Sequence, residues 1–217
     1  MIWLQVLLLV ALLATLNVCQ WIVSDQTLPF FRAFSWKTKN DWVSRVNAGV
    51  VEIIAFVLLG ISGHTSVWAY ALMLAFFLED TLHLLVYDHT LLNYIHHVLV
   101  GAVFVLFRTL MTPEQAESAY RVFLTVESTG PFLQATWLMR EAGLKNHPAF
   151  KTLAGFTLVF YGVMRCGVFP WLMHAHMDRG MALLVSPLLG LNVYWFYKLC
   201  RMAQKAFATN TGGERLE

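Results

Sequence analysis

Residues 67–110, VWAYALMLAFFLEDTLHLLVYDHTLLNYIHHVLVGAVFVLFRTL, decide how this chain folds. They hold two apolar runs, Val67 to Tyr87 and Leu91 to Leu110. Each run matches the roughly 20 residues that an α-helix needs to cross a bilayer core. Yet they carry Glu79, Asp80, His83, His96 and His97. Ionisable groups are expensive inside a membrane, so they face the interior of a helix bundle and pair there. The stretch therefore reads as two membrane helices with a polar interior face.

The rest of the chain repeats the pattern. Of its 217 residues, 58% are hydrophobic and 13% charged, and the mean hydropathy is +0.60. A soluble domain is roughly 45–50% apolar and about 25% charged. So little charge cannot coat a globular surface. That excludes a cytosolic enzyme, a nucleic-acid binder and a disordered protein. The net charge of +2 is too small to point to a polyanionic partner.

Five further runs complete the pattern. The first, Met1 to Val23, lacks a basic leader and a clear cleavage site, so it reads as a retained helix. A polar, basic stretch follows, with Asp25, Arg32, Lys37, Lys39, Asp41 and Arg45. The second run, Val46 to Ser62, carries Glu52. After the quoted pair, a fifth helix starts at Thr112-Pro113-Glu114-Gln115, close to a capping box. It carries Glu127 and stops near Gly143, a C-terminal cap. The sixth, Pro148 to His174, carries Arg165, and the seventh spans Met181 to Cys200. The expectation is an all-α polytopic membrane protein of about seven transmembrane helices. Its parts are a first helix and basic loop (1–35), a main domain (36–203) and a tail (204–217). Cys19, Cys166 and Cys200 read as isolated buried thiols, and no metal-ligand spacing occurs.

Basic residues set the orientation. Loops after helices one, three and five, with the tail, hold eleven: Arg32, Lys37, Lys39, Arg45, Arg140, Lys145, Lys151, Lys198, Arg201, Lys205 and Arg215. The other side holds three, Arg108, Arg121 and Arg179. The positive-inside rule then puts the C-terminus in the cytosol. Trp3, Trp42, Trp68, Trp137 and Trp195 lie near span ends, where interfacial anchors belong.

Spacing narrows the candidate site. Asp80 and His83 are three apart, and Glu79 and His83 four apart, so either pair can meet on one helix face. His96 and His97 point about 100° apart, and Asn93 lies one turn before them. Pro131 releases the Glu127 carbonyl, Pro170 that of Cys166, and Pro187 loosens the turn at Ala182–Leu183. Glu127 or Asp80 is a natural ion-pair partner for Arg165. Structural pairing and a catalytic or ligand-binding role weigh about equally for these groups, while Glu52 reads as a packed polar contact. A mid-span lysine for retinal is lacking, as are repeated histidine boxes, DRY-type and NPxxY-type motifs, a P-loop and a GxSxG elbow.

Five segments, taken in order, resemble the TLC-domain family, which includes ceramide synthases and the translocating-chain-associated protein. They are WKTKNDWVSRVNAG, FFLEDTLHLLVYD with Asp80, NYIHHVLVG with His96 and His97, VESTGPFLQATWLMREAG with Glu127, and FTLVFYGVMRCGVFPW with Arg165, Gly167 and Pro170. The resemblance implies a barrel of six helices, helices two to seven, around an acyl-chain tunnel. It implies membrane lipids or fatty acyl chains as partners, no cofactor, and a place in the endoplasmic reticulum or plasma membrane. The synthases use their histidine pair and acidic residues to move an acyl group from acyl-coenzyme A to a sphingoid amine. By that analogy His96 or His97 would be nucleophile or base, oriented by Asp80 or Glu127. The synthases' second His-Asp element is replaced here by Val126-Glu127-Ser128-Thr129-Gly130. The segment around it looks closer to the small TLC-domain-containing proteins. The leading expectation is therefore lipid binding or sensing that influences membrane lipid composition, with His96, His97, Asp80, His83, Asn93, Glu127 and Arg165 at the ligand. An acyltransferase, and a non-catalytic structural or trafficking partner in the endoplasmic reticulum, are the alternatives.

Overall fold

The computed structural model describes residues 2–62, 67–87 and 91–212. Asp88, which closes one family-like segment, and Arg215 in the tail lie outside the described residues. Within them the chain is helical nearly throughout, with no strand. The long elements are α1 (Ile2–Thr27), α3 (Trp36–Ser62), α4 (Val67–Tyr87), α5 (Leu91–Leu110) and α10 (Arg179–Gly212). A short α2 (Pro29–Arg32) links the first two.

Three elements differ from the sequence-based expectation, each for a physical reason. First, α3 begins at Trp36, so the basic stretch before Val46 is mostly helical. Lys39, Asn40, Trp42 and Val43 keep a helical spacing there, and Trp42 packs into a cluster with Phe30, Phe31 and Phe34 of α2 and its exit. Trp42 is thus a buried core residue. Second, the fifth helix is two: α6 (Pro113–Glu127) and α7 (Gly130–Glu141), broken at Ser128–Thr129. Pro131 has no N–H to give the Glu127 carbonyl, so the helix restarts instead of continuing. Third, α8 (Pro148–Tyr161) widens into a π-helical segment, Gly162–Val168, before α9 (Phe169–His176). Pro170 makes that widening inexpensive, because the i→i−4 bond to Cys166 is already lost.

The expected caps are present. Thr112 Oγ1 accepts from the Gln115 N–H and Gln115 Oε1 accepts from the Thr112 N–H, a complete capping box. Gly143 takes φ +80° after α7, a conformation that disfavours side chains.

The helices pack in a definite order. α4 lies against α1, α3 and α5. α3 also packs on α6 and α7, α7 on α8, and α6 on α9. α10 meets α5, α8, the π segment and α9. The main core is aromatic where α4, α5, α6 and α9 converge: Tyr70, Phe104, Tyr120, Phe123 and Phe169. Both tyrosine hydroxyls donate to the Phe104 carbonyl at 3.3 Å, so neither of these phenols is buried without a partner. Leu4, Leu7, Leu8 and Leu12 of α1 are exposed, as side chains facing lipid would be. Among the described residues, four helical stretches are long and apolar enough to cross a membrane: Trp3–Thr27, Leu91–Leu110, Pro148–His176 and Arg179–Gln204.

Candidate functional site

The site begins at the π segment. Arg165 sits at its centre, buried, and every nitrogen of its fork has a partner. Nε donates to Thr129 Oγ1 at 2.8 Å, Nη1 to Asn192 Oδ1 at 3.0 Å and Nη2 to Glu127 Oε2 at 2.6 Å. Thr129 lies in the break between α6 and α7, and Asn192 on α10. One guanidinium therefore ties three chain segments together, a task its planar fork suits. Tyr161 closes the arrangement: its ring lies 5.2 Å from the guanidinium carbon, and its hydroxyl donates to Asn192 Oδ1 at 3.4 Å.

A second group forms where α3, α4 and α5 meet. Asp80 Oδ1 accepts from Ser44 Oγ at 2.6 Å, and Asp80 Oδ2 lies 3.1 Å from His97 Nε2. Phe77 flanks the His97 ring. His96 turns the other way, perpendicular to His97, and meets the face of α10 through Trp195, ring centroids 4.7 Å apart. Trp195 is thus a packing partner of the site. Among the described residues, His96 Nδ1 and His97 Nδ1 are buried without a hydrogen-bond partner. An Asp that accepts from Nε2–H holds the neutral imidazole in the tautomer whose Nδ1 carries the lone pair. With the ring neutral, Asp80 presents His97 Nδ1 as an acceptor or base.

Glu52 on α3 links the two groups. It lies within electrostatic reach of Glu127, Arg165 and Asp80. Its carboxyl fills the place where a side chain at residue 130 would begin: a Cβ on Gly130 would come within 2.2 Å of both oxygens. Its Oε2 is buried and has no hydrogen-bond partner among the described residues. The spacing-based reading of Glu52 as an ordinary packed contact understates its position.

The structure brings Asp80 to His97 and Glu127 to Arg165, and sends two candidates elsewhere. Glu79 and His83 line a groove toward α1, away from the Ser44 and His97 contacts of Asp80. Asn93 is half-buried on the first turn of α5. Ser44, Thr129, Gly130, Tyr161 and Asn192 were missed. Asn192, an amide inside an apolar run, was a usable signal, as was Thr129-Gly130-Pro131 directly after Glu127. Ser44 offered none. Among the described residues no cluster of three His, Cys, Asp or Glu side chains could hold a metal ion.

The fold and site define a class: an all-helical integral membrane protein with a buried Arg–Glu pair and an Asp–His contact between its helices. Within that class the family follows from comparison. The model of the TLC domain matches residues 21–201, and the chain belongs to the TLC-domain family. It is similar to TLC domain-containing protein 4 A of Dictyostelium discoideum, 27% identical over 126 residues, which is 57% of this chain and 43% of that protein. The chain thus matches less than half of that relative's length. No solved structure matches it.

Proposed function

We propose that this protein binds a membrane lipid between its helices, at His96 and His97, and through it influences membrane lipid composition. The observation that carries this reading is the pair of buried imidazole nitrogens without a protein partner, one of them on the ring that Asp80 holds. Unpaired ring nitrogens in a low-dielectric interior are costly unless a hydrogen-bonding partner meets them. A hydroxyl or amide near a lipid headgroup is such a partner, and the membrane supplies it. The order of helix contacts supports the barrel: α3 to α4, α5, α10, α8 and α9, then α6 and α7, and back to α3, with α1 outside. In that arrangement α3, α4, α5, the α6–α7 pair, the α8–α9 pair and α10 make six spans, and α1 the seventh. The test is lipid analysis of the purified protein. A bound lipid that vanishes from His96→Ala/His97→Ala supports the reading; the same lipids at equal occupancy in both proteins defeat it.

The Asp80–His97 contact favours a second reading, acyl transfer from acyl-coenzyme A to an amine. Asp80 would orient His97, and Nδ1 would take the amine proton or carry the acyl group. Purified protein incubated with acyl-coenzyme A and long-chain amines should then yield amide, or a hydroxylamine-labile adduct on histidine. Neither product appears if the protein only binds.

A further inference from the structure

A groove of about 390 Å³ lies outside the Asp80–His97 and Arg165 groups, between α1, α3 and α4. One wall is a straight stripe of small aliphatic side chains on α1, Val10, Ala14 and Val18, facing Leu82 of α4. The stripe is about 12 Å long at the helical rise. At one level this apolar slot turns polar. Glu79 lines it and accepts from the Asn17 amide through Oε1, while Asn17 in turn accepts from Asn47. The carboxyl thus uses only part of its capacity to accept hydrogen bonds. About one turn further along α1 the groove is bordered by Trp21 against Trp36. The Trp21 indole N–H is buried with no acceptor among the described residues.

We infer that this groove is a binding site for a neutral membrane lipid with an apolar body and a single hydroxyl, of sterol shape. A hydroxyl can donate to a carboxyl such as Glu79 or accept from an indole N–H such as Trp21, and it brings no charge into the apolar slot. The apolar body lies along Val10, Ala14 and Val18. Phospholipids fit less well, because a phosphate needs free cations at the rim. Lys39 is spent on Asp25 at 2.6 Å and lies over the Trp21 and Phe31 rings. Arg32 is spent on the carbonyls of Asp25 and Gln26. The site does not depend on the reading of His96 and His97, and either can fail without the other.

The experiment uses the full chain in phosphatidylcholine nanodiscs with a diazirine cholesterol analogue that keeps its 3β-hydroxyl. Adducts are mapped by peptide mass spectrometry. Crosslinks should fall on α1 around Ala14 and on α4 around Leu82. Cholesterol should compete for them about tenfold better than cholesteryl methyl ether, which lacks the donor. Ala14→Phe, which fills the slot, and Glu79→Leu should each cut labelling about tenfold. His97→Ala should leave it unchanged. Adducts confined to other helices, or equal competition by the ether on the unmodified protein, overturn the inference. So does undiminished labelling of Ala14→Phe.

Discussion

At the scale of the residue, Arg165 shows how a buried charge is made tolerable. It has left water completely, and three acceptors on two helices and a break replace its hydration. Removing one partner of such a pair strands the other, at about 3–5 kcal/mol. Arg165→Leu should therefore lower the thermal transition of the detergent-purified protein sharply, because Glu127 keeps its burial and loses its cation. Glu127→Leu/Arg165→Leu should recover much of that loss, since neither charge is then stranded. Arg165→Lys should fall between: an ammonium keeps the charge but cannot fork to Thr129, Asn192 and Glu127 together. Size-exclusion thermal melts of the variants decide the order. Glu127 and Arg165 were legible in the sequence because a charge inside an apolar run is conspicuous. Thr129 and Asn192 were hard to see, because an uncharged polar side chain among apolar ones has many explanations, and only the fold shows that both meet one guanidinium.

At the scale of the element, irregular backbone places the site's side chains. The break between α6 and α7 brings Thr129 to Arg165 and leaves Gly130 open for the Glu52 carboxyl. The π segment turns Arg165 inward against α10 and α6. Prolines 131 and 170 announced that backbone bonds would be missing, yet nothing in composition distinguishes a kink from a full break or a π turn. That depends on which neighbour satisfies the freed groups. Gly130 supplies a sharp test. A methyl there cannot coexist with Glu52 in its present place, so Gly130→Ala should cost about 1–3 kcal/mol by overpacking. The same substitution in a Glu52→Ala background should cost far less, because the space is then vacant. Stability measured for the two singles and the double shows strong coupling if Glu52 occupies that slot. Additive losses would mean that it does not.

At the scale of the whole molecule, sparse charge carries the topology. Helical membrane class was legible from composition and run length, while the neighbour order of helices was not, because apolar faces of similar width do not name their partners. What composition does settle is asymmetry. Eleven basic residues fall on one side of the seven-span scheme and three on the other. Under the positive-inside rule, an imbalance of that size at span ends and links predicts a cytosolic basic side. The same scheme requires α1 to be a full span, held beside α3 and α4 by the Asn47–Asn17–Glu79 chain of hydrogen bonds. If α1 did not cross, its amino end and the C-terminal tail would share a side, since the remaining six spans return the chain to where it began. Glycosylation tags at the two ends of the full chain therefore give a clean test. An N-glycosylation sequon on a linker should acquire a glycan when fused to the N-terminus and none when fused to the C-terminus, whichever membrane holds the protein. Sequons left unmodified at both ends would reduce the number of spans to an even one and leave α1 uncrossed.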